Sequence, residues 1–293
     1  MKKVIITGAS GLFGSYLTKV FDTEYKVVPL LGRKDLDIID TQKVMTYFEN
    51  EKPDLIIHSA GFRMVDEAEK LREKALTINT FGTKNVALSA SRLDIPLIHI
   101  SSDSVFDGNT KQSYSEYDPT HPINAYGYSK MMAEQEVMRY HRKHFIVRVP
   151  LLFGTLGNPQ NNYLNIMIEK LSKNEIMEFT TDQICSPTYC KDAADAILKM
   201  TKTDFYGLYH ISNQGKASRY EFYKKCAELL NLSTDNMIPI LQKNRLAQRP
   251  KNTVFSSIAF KNTFNLELRD WNEALTECIL EFNISRRNNN VQS

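Results

Sequence analysis

Tyr126 and Lys130 lie four residues apart in the run Tyr126-Gly127-Tyr128-Ser129-Lys130, a spacing that sets a phenol and an ammonium on one face of a helix. A phenol with its ordinary pKa near 10 exchanges protons poorly at neutral pH, and lowering it by roughly three units takes about 4 kcal/mol. An ammonium about 4 Å away, at an effective dielectric near 20, supplies energy of that order before desolvation takes its share. The spacing therefore predicts that Lys130 acidifies Tyr126 for proton transfer. A Y-x-x-x-K pattern is common on helices, so its weight comes from its company. Ser101-Ser102-Asp103 closes the apolar run that begins at Leu97, and Ser102 precedes Tyr126 by 24 residues. Open α/β sheets place their ligands at such strand ends. There the Ser102 hydroxyl can donate to a carbonyl oxygen while the phenol protonates it.

A second constellation lies at the N-terminus. The run Gly8-Ala9-Ser10-Gly11-Leu12-Phe13-Gly14 follows the strand-like Lys3–Thr7 and leads into a helical pattern. Glycines at this spacing allow a tight turn and let the backbone approach a pyrophosphate, which the helix N-terminus then holds with unpaired N–H groups. Gly32-Arg33-Lys34 stands where a cofactor lacking a 2′-phosphate usually meets an acidic residue. Two cations there suit a phosphate, which predicts NADPH over NADH, with NADH still admissible. Asp37 and Ile38 follow closely enough to meet the adenine amino group.

These side chains need a scaffold, and the first half of the chain supplies one. Candidate strands at Lys3–Thr7, Lys26–Leu30, Leu55–His58, Leu97–Ser101 and Phe145–Val149 alternate with candidate helices near Gly11–Phe21, Thr41–Asn50, Glu73–Arg92 and Ala125–His141. That alternation predicts an α/β fold, a Rossmann-like doubly wound parallel sheet. Residues 1–150 read as the NAD(P)-binding domain, with return segments within 187–212. Residues 151–285 read as a smaller substrate-binding lobe, and 286–293 as a frayed tail without apolar periodicity.

Composition excludes several classes. The 293 residues are 42% hydrophobic and 24% charged, with 37 Lys+Arg against 34 Asp+Glu, a net charge of +3. That is too weak and dispersed for a nucleic-acid footprint. No apolar run approaches the roughly 18 residues that cross a bilayer, and no signal-peptide core forms before Gly8, so the reading is cytoplasmic. The four cysteines form no C-x-x-C pair and read as free thiols. No acidic cluster reads as a metal site.

Together these segments resemble the dTDP-4-dehydrorhamnose reductase family of the extended short-chain dehydrogenase/reductase superfamily, over almost the whole chain. The resemblance rests on the Gly8/Gly11/Gly14 turn, Val65-Asp66-Glu67-Ala68-Glu69, Ser101-Ser102-Asp103-Ser104-Val105-Phe106-Asp107-Gly108 and Tyr126-Gly127-Tyr128-Ser129-Lys130. It extends to Asp182-Gln183-Ile184-Cys185-Ser186-Pro187-Thr188 and Arg249-Pro250-Lys251-Asn252. It implies reduction by NAD(P)H of the C4 ketone of a nucleoside-diphospho-4-keto-6-deoxysugar, in cell-surface polysaccharide biosynthesis. Tyr126 would donate the proton, Lys130 would hold the nicotinamide ribose and Ser102 would polarise the ketone. Gly11, Leu12, Phe13, Asp37, Ile38, Ala60, Gly61 and Phe62 fall at cofactor positions. Asp103, Leu151, Asp182, Gln183 and Arg249 fall on the substrate side. Family precedent includes homodimers and Mg²⁺ dependence.

The chain also departs from the family pattern. Ser102 replaces a threonine, Ser104 a tyrosine, and Leu151 a tryptophan that the family sets against the sugar; Gly61-Phe62-Arg63 brings a cation near the site. Leucine has neither the stacking face nor the N–H of an indole, so a sugar other than the rhamnose precursor is compatible with these residues. A sugar-nucleotide 4-epimerase would keep Ser102, Tyr126 and Lys130, although the Asp182-Gln183 segment argues against it. A different class, the NADP-binding regulatory beta subunit of methionine adenosyltransferase, resembles the same family, and its segments are similar to Arg148-Val149-Pro150 and Gln248-Arg249-Pro250.

Overall fold

The computed structural model describes residues 1–242 and 245–291. Its central sheet is built from β1 (Lys3–Thr7), β2 (Lys26–Leu30), β3 (Leu55–His58), β4 (Leu97–Ser102), β5 (His144–Val149) and a further strand, Gly207–His210. The spatial order is Gly207–His210, β5, β4, β3, β1, β2, with every neighbouring pair parallel. The fold is the Rossmann-like doubly wound sheet that the alternation predicts. From β1 the chain winds first toward β2 and then back past β1 to β3, so the winding reverses between the carboxyl ends of β1 and β3. Ligands of open α/β sheets bind at such a point. β2 is an edge strand, which is why it accommodates Pro29.

Successive strand residues enter opposite layers. Val4, Ile6, Ile57, Ile98 and Val147 pack with α1 (Leu12–Phe21) and the helix Cys190–Met200. Ile5, Ile56, Leu97 and Ile146 pack on the other face against Val44, Phe48, Val86 and Val137. Burial on both faces is what continuous apolar strands require. All four cysteines are buried free thiols. Among the described residues no helix is long and apolar enough to cross a membrane.

Two elements differ from expectation. The stretch read as one helix over Glu73–Arg92 is interrupted: helices Val65–Lys70 and Arg72–Leu76 lead into a π-helical turn, Thr77–Phe81, before the helix Gly82–Arg92. A π-turn re-aims side chains relative to a regular helix, and this one buries Asn79. At the other end, the helix Trp271–Val291 carries the backbone through residues 286–291 in place of the frayed tail. Extending a helix already nucleated on a packed core costs far less than starting one. Residues 292 and 293 lie outside the described residues.

Candidate active site

Two cavities, of about 800 and 680 Å³, meet at the carboxyl ends of β1 and β3, where both are lined by Gly8, Ala60 and Gly61. Gly8 has φ +70°, and a Cβ there would lie 2.7 Å from the Ala60 amide nitrogen, so only glycine lets the turn pass the β3 loop. α1 begins directly after Gly11, which caps it without a side chain. The helix N-terminus is thus a ready anion site, and the glycine cradle fits a dinucleotide pyrophosphate. Leu12, Phe13, Gly14 and Phe62 line the larger cavity; Arg33, Asp37 and Ile38 line the smaller one. Lys34 is not among the residues lining either cavity, and the other cations of the smaller wall are Lys70, Arg72 and Lys74. Arg33 donates to Asp37 at 2.6 Å.

The candidate catalytic residues Ser102, Tyr126 and Lys130 all line the larger cavity. The helix Ala125–Tyr140 starts at Asn124, whose Oδ1 accepts from the Gly127 amide at 2.7 Å, while Glu69 Oε1 accepts from the Ala125 amide at 2.6 Å. Two side chains therefore satisfy its first free N–H groups. A Cβ on Gly127 would fall 2.0 Å from the Ser104 carbonyl oxygen, so this glycine lets the helix sit directly on the turn after β4. That contact sets Tyr126 beside the turn after β4, near enough for the Ser102 hydroxyl to act on the phenol. Ser102 Oγ also donates to Asp103 Oδ1 at 3.1 Å and accepts from the Ser104 amide at 3.2 Å.

The electrostatics differ from the spacing argument. Burial pushes the Tyr126 phenol up to about 12, with the Asp103 charge adding to the rise and the Ser102 hydroxyl and Arg63 guanidinium opposing it. Lys130 is not among the groups acting on the phenol. Lys130 is 7% exposed, and its ammonium donates to the Ile100 carbonyl at 2.7 Å and contacts His99 Nε2 at 3.4 Å. Burial lowers Lys130 to about 8, against the pull of Glu134. The expected acidification of Tyr126 by Lys130 is therefore absent from this arrangement. A backbone acceptor on the neighbouring strand competes for the ammonium, and desolvation of the phenol outweighs the cation that remains. His99 is itself kept neutral by burial and by Lys130. It stacks on His58, which is bonded to Thr7 and Thr83 at 2.8 and 3.0 Å.

The substrate-side expectations divide. Asp103, Leu151, Gln183 and Arg249 line the larger cavity. Burial raises the Asp103 carboxyl, which accepts from Thr253 Oγ1 at 2.7 Å. Asp182 is not among the lining residues: its carboxylate accepts from the Gln242 amide at 2.8 Å, tying two loops together. Arg249 is held by Asp66 at 2.8 and 3.2 Å, so its charge is already matched. Four contributors carry no local signal. Asn79, from the π-turn, clamps Phe62 by accepting from its amide at 2.6 Å and donating to its carbonyl at 3.0 Å, and also donates to Ser129 at 2.8 Å. Thr253 arrives from 150 residues beyond Asp103. Beneath β4, Arg148 and Glu134 form a buried two-pronged pair at 2.9 and 2.7 Å, with Ser101 also donating to Glu134. Only the carboxylate at Glu69, preceding a helix start in space, has a recognisable chemical logic.

Fold and site together define a Rossmann-like protein of the dinucleotide-binding class. Within that class the chain belongs to the RmlD substrate binding domain family, whose model matches residues 1–284. The chain is 33% identical to the spore coat polysaccharide biosynthesis protein SpsK of Bacillus subtilis, covering 96% of this chain and 98% of that one. It is 30% identical to a dTDP-4-dehydrorhamnose reductase of Aggregatibacter actinomycetemcomitans, covering 94% and 97% respectively. The crystal structure of dTDP-4-dehydrorhamnose reductase from Bacillus anthracis, in complex with NADP, superposes with a TM-score of 0.90 at 38% identity, covering 96% of this chain and all of that one.

Proposed function

We propose that this protein is an NADPH-dependent reductase of the C4 ketone of a nucleoside-diphospho-4-keto-6-deoxysugar. The observation that carries the reading is that Ser102, Tyr126 and Lys130 line one cavity with the glycine turn that leads into α1. Relatives named as reductases of such sugars support the chemistry. When bound, the dinucleotide supplies the hydride.

The chain's own residues supply the rest. The backbone at Gly8–Gly14 and the N-terminus of α1 hold the pyrophosphate, while Arg33 faces the adenosine end and favours a 2′-phosphate. Ser102 Oγ donates to the ketone oxygen and orients it. Tyr126 Oη, protonated throughout the neutral range, delivers its proton to that oxygen. Lys130, fixed by Ile100 and His99, presents one ammonium proton toward the ribose side of the site. Asp103 and Gln183 face the sugar. Among the described residues no three His, Cys, Asp or Glu side chains gather to hold a metal. The reading places the protein in the cytoplasm.

The test is incubation with NADPH and a panel of nucleoside-diphospho-4-keto-6-deoxysugars, following absorbance loss and identifying products. Tyr126→Phe should keep NADPH binding and lose at least ~10²-fold in turnover, the scale of one general acid. NADPH binding without turnover of any member would refute the reductase reading.

A further inference from the structure

Next to Lys130 lie two fully buried imidazoles, His58 at the end of β3 and His99 within β4. They are stacked, with ring centroids 5.5 Å apart and planes 29° from parallel. His58, kept neutral by burial, uses both of its ring nitrogens. Thr83 Oγ1 spends its own proton on the Asn79 carbonyl, so it accepts from His58 Nε2 at 3.0 Å, and His58 Nδ1 accepts from Thr7 Oγ1 at 2.8 Å. His58 is therefore held in one tautomer and one orientation, a fixed plate on which His99 rests.

His99 is satisfied on one side only. An ammonium has no lone pair, so His99 Nε2, 3.4 Å from Lys130 Nζ, is the acceptor, and the ring proton sits on Nδ1. Among the described residues that buried Nδ1 has no hydrogen-bond partner. An unpaired buried donor costs stability, and leucine, a side chain of similar size, would fill the position without that cost. The imidazole therefore has a use other than packing. Lys130 is faced by His99 from β4, by His58 from β3 and, on its own helix, by Glu134, whose carboxylate is committed to Arg148 of β5. His144, also of β5, acts on His99 and not on the ammonium. Among the described residues the acceptors of the ammonium are the Ile100 carbonyl and His99. One acceptor leaves an ammonium free to turn about that bond. A second fixes the turn and leaves the third N–H for the cavity that Lys130 lines.

We infer that His99 is a positioning residue of the reaction: braced on His58, its Nε2 holds the Lys130 ammonium charged and aimed at the cofactor side of the cavity. The inference rests on the reductase reading of that cavity. The pH profile of NADPH-dependent reduction and thermal melts of His99→Leu and His99→Gln test it against the parent protein. Losing an acceptor disfavours the charged form of its donor, so His99→Leu should move the fall in reduction about one pH unit below that of the parent and cut the rate at pH 9 about tenfold. Its Tm should stay within a few degrees of the parent, because the unpaired Nδ1 donor is removed together with the acceptor. His99→Gln, whose amide oxygen restores an acceptor, should return the fall to that of the parent. A fall in His99→Leu at the same pH as in the parent, or a His99→Gln profile that matches His99→Leu, would overturn the inference while leaving the reductase reading intact. A Tm lowered by roughly 10 °C or more in His99→Leu would make His99 a packing residue and overturn it as well. A parent protein that reduces no sugar of the panel would overturn both.

Discussion

The pH dependence of turnover separates the roles of Tyr126 and Lys130. For the first substrate to bind, kcat/KM refers to the free enzyme, so the arrangement described above applies directly. Tyr126, pushed up to about 12, keeps its proton from pH 6 to 10 and imposes no limb on reduction there. Lys130, lowered to about 8 by burial, loses its charge inside that window. Reduction should be flat below pH 8 and fall tenfold per unit above it, because the charged ammonium is the active form. The reverse oxidation needs the phenolate, of which a phenol at about 12 provides roughly 10⁻⁴ at pH 8. It should rise tenfold per unit up to about pH 8 and then level, as gain of phenolate cancels loss of ammonium. Initial rates by nicotinamide absorbance at constant ionic strength measure both limbs. Lys130→Arg retains a charge across the range and should move the fall in reduction beyond pH 10. A fall centred below pH 7, or one that stays near pH 8 in Lys130→Arg, would refute the assignment.

Three further outcomes follow from the contacts. Glu134→Gln breaks the buried pair with Arg148 and strands its guanidinium, and should cost about 3–5 kcal/mol, read as a fall in Tm of roughly 10 °C; an unchanged Tm would contradict the burial argument. Asn79→Ala removes the two-bond clamp on Phe62 and the donor to Ser129, and should weaken dinucleotide binding severalfold and stability by about 1–3 kcal/mol, measured by fluorescence titration and denaturant melts. Arg33→Ala should weaken NADPH about tenfold and leave NADH unchanged, since a lost phosphate contact acts only on the cofactor that carries the phosphate; equal losses for both would remove Arg33 from that role.

Much of the proposed site could be read from sequence because its parts are local. The glycine turn lies within seven residues between a strand and a helix, and its chemistry follows from backbone approach alone. Ser102 ends a strand, and Tyr126 and Lys130 share one helical turn, so spacing and periodicity expose them. Gly127 reads only as a small residue between two tyrosines until the Ser104 carbonyl appears 2.0 Å from where its Cβ would stand. Asn79 was hidden by the same periodicity that suggested an unbroken helix, because a π-turn leaves the surrounding pattern helical while it swings one side chain inward.

By itself the sequence determined the doubly wound sheet and the glycine turn that precedes α1, and it proposed the hydroxyl pair, since each is dictated by hydrophobic period or short-range geometry. Tertiary structure alone decided how the charges are matched. Lys130 meets a strand carbonyl, Asp182 closes a loop and Arg249 is paired with Asp66. Such outcomes depend on contacts between positions far apart in the chain and on desolvation that no local spacing encodes.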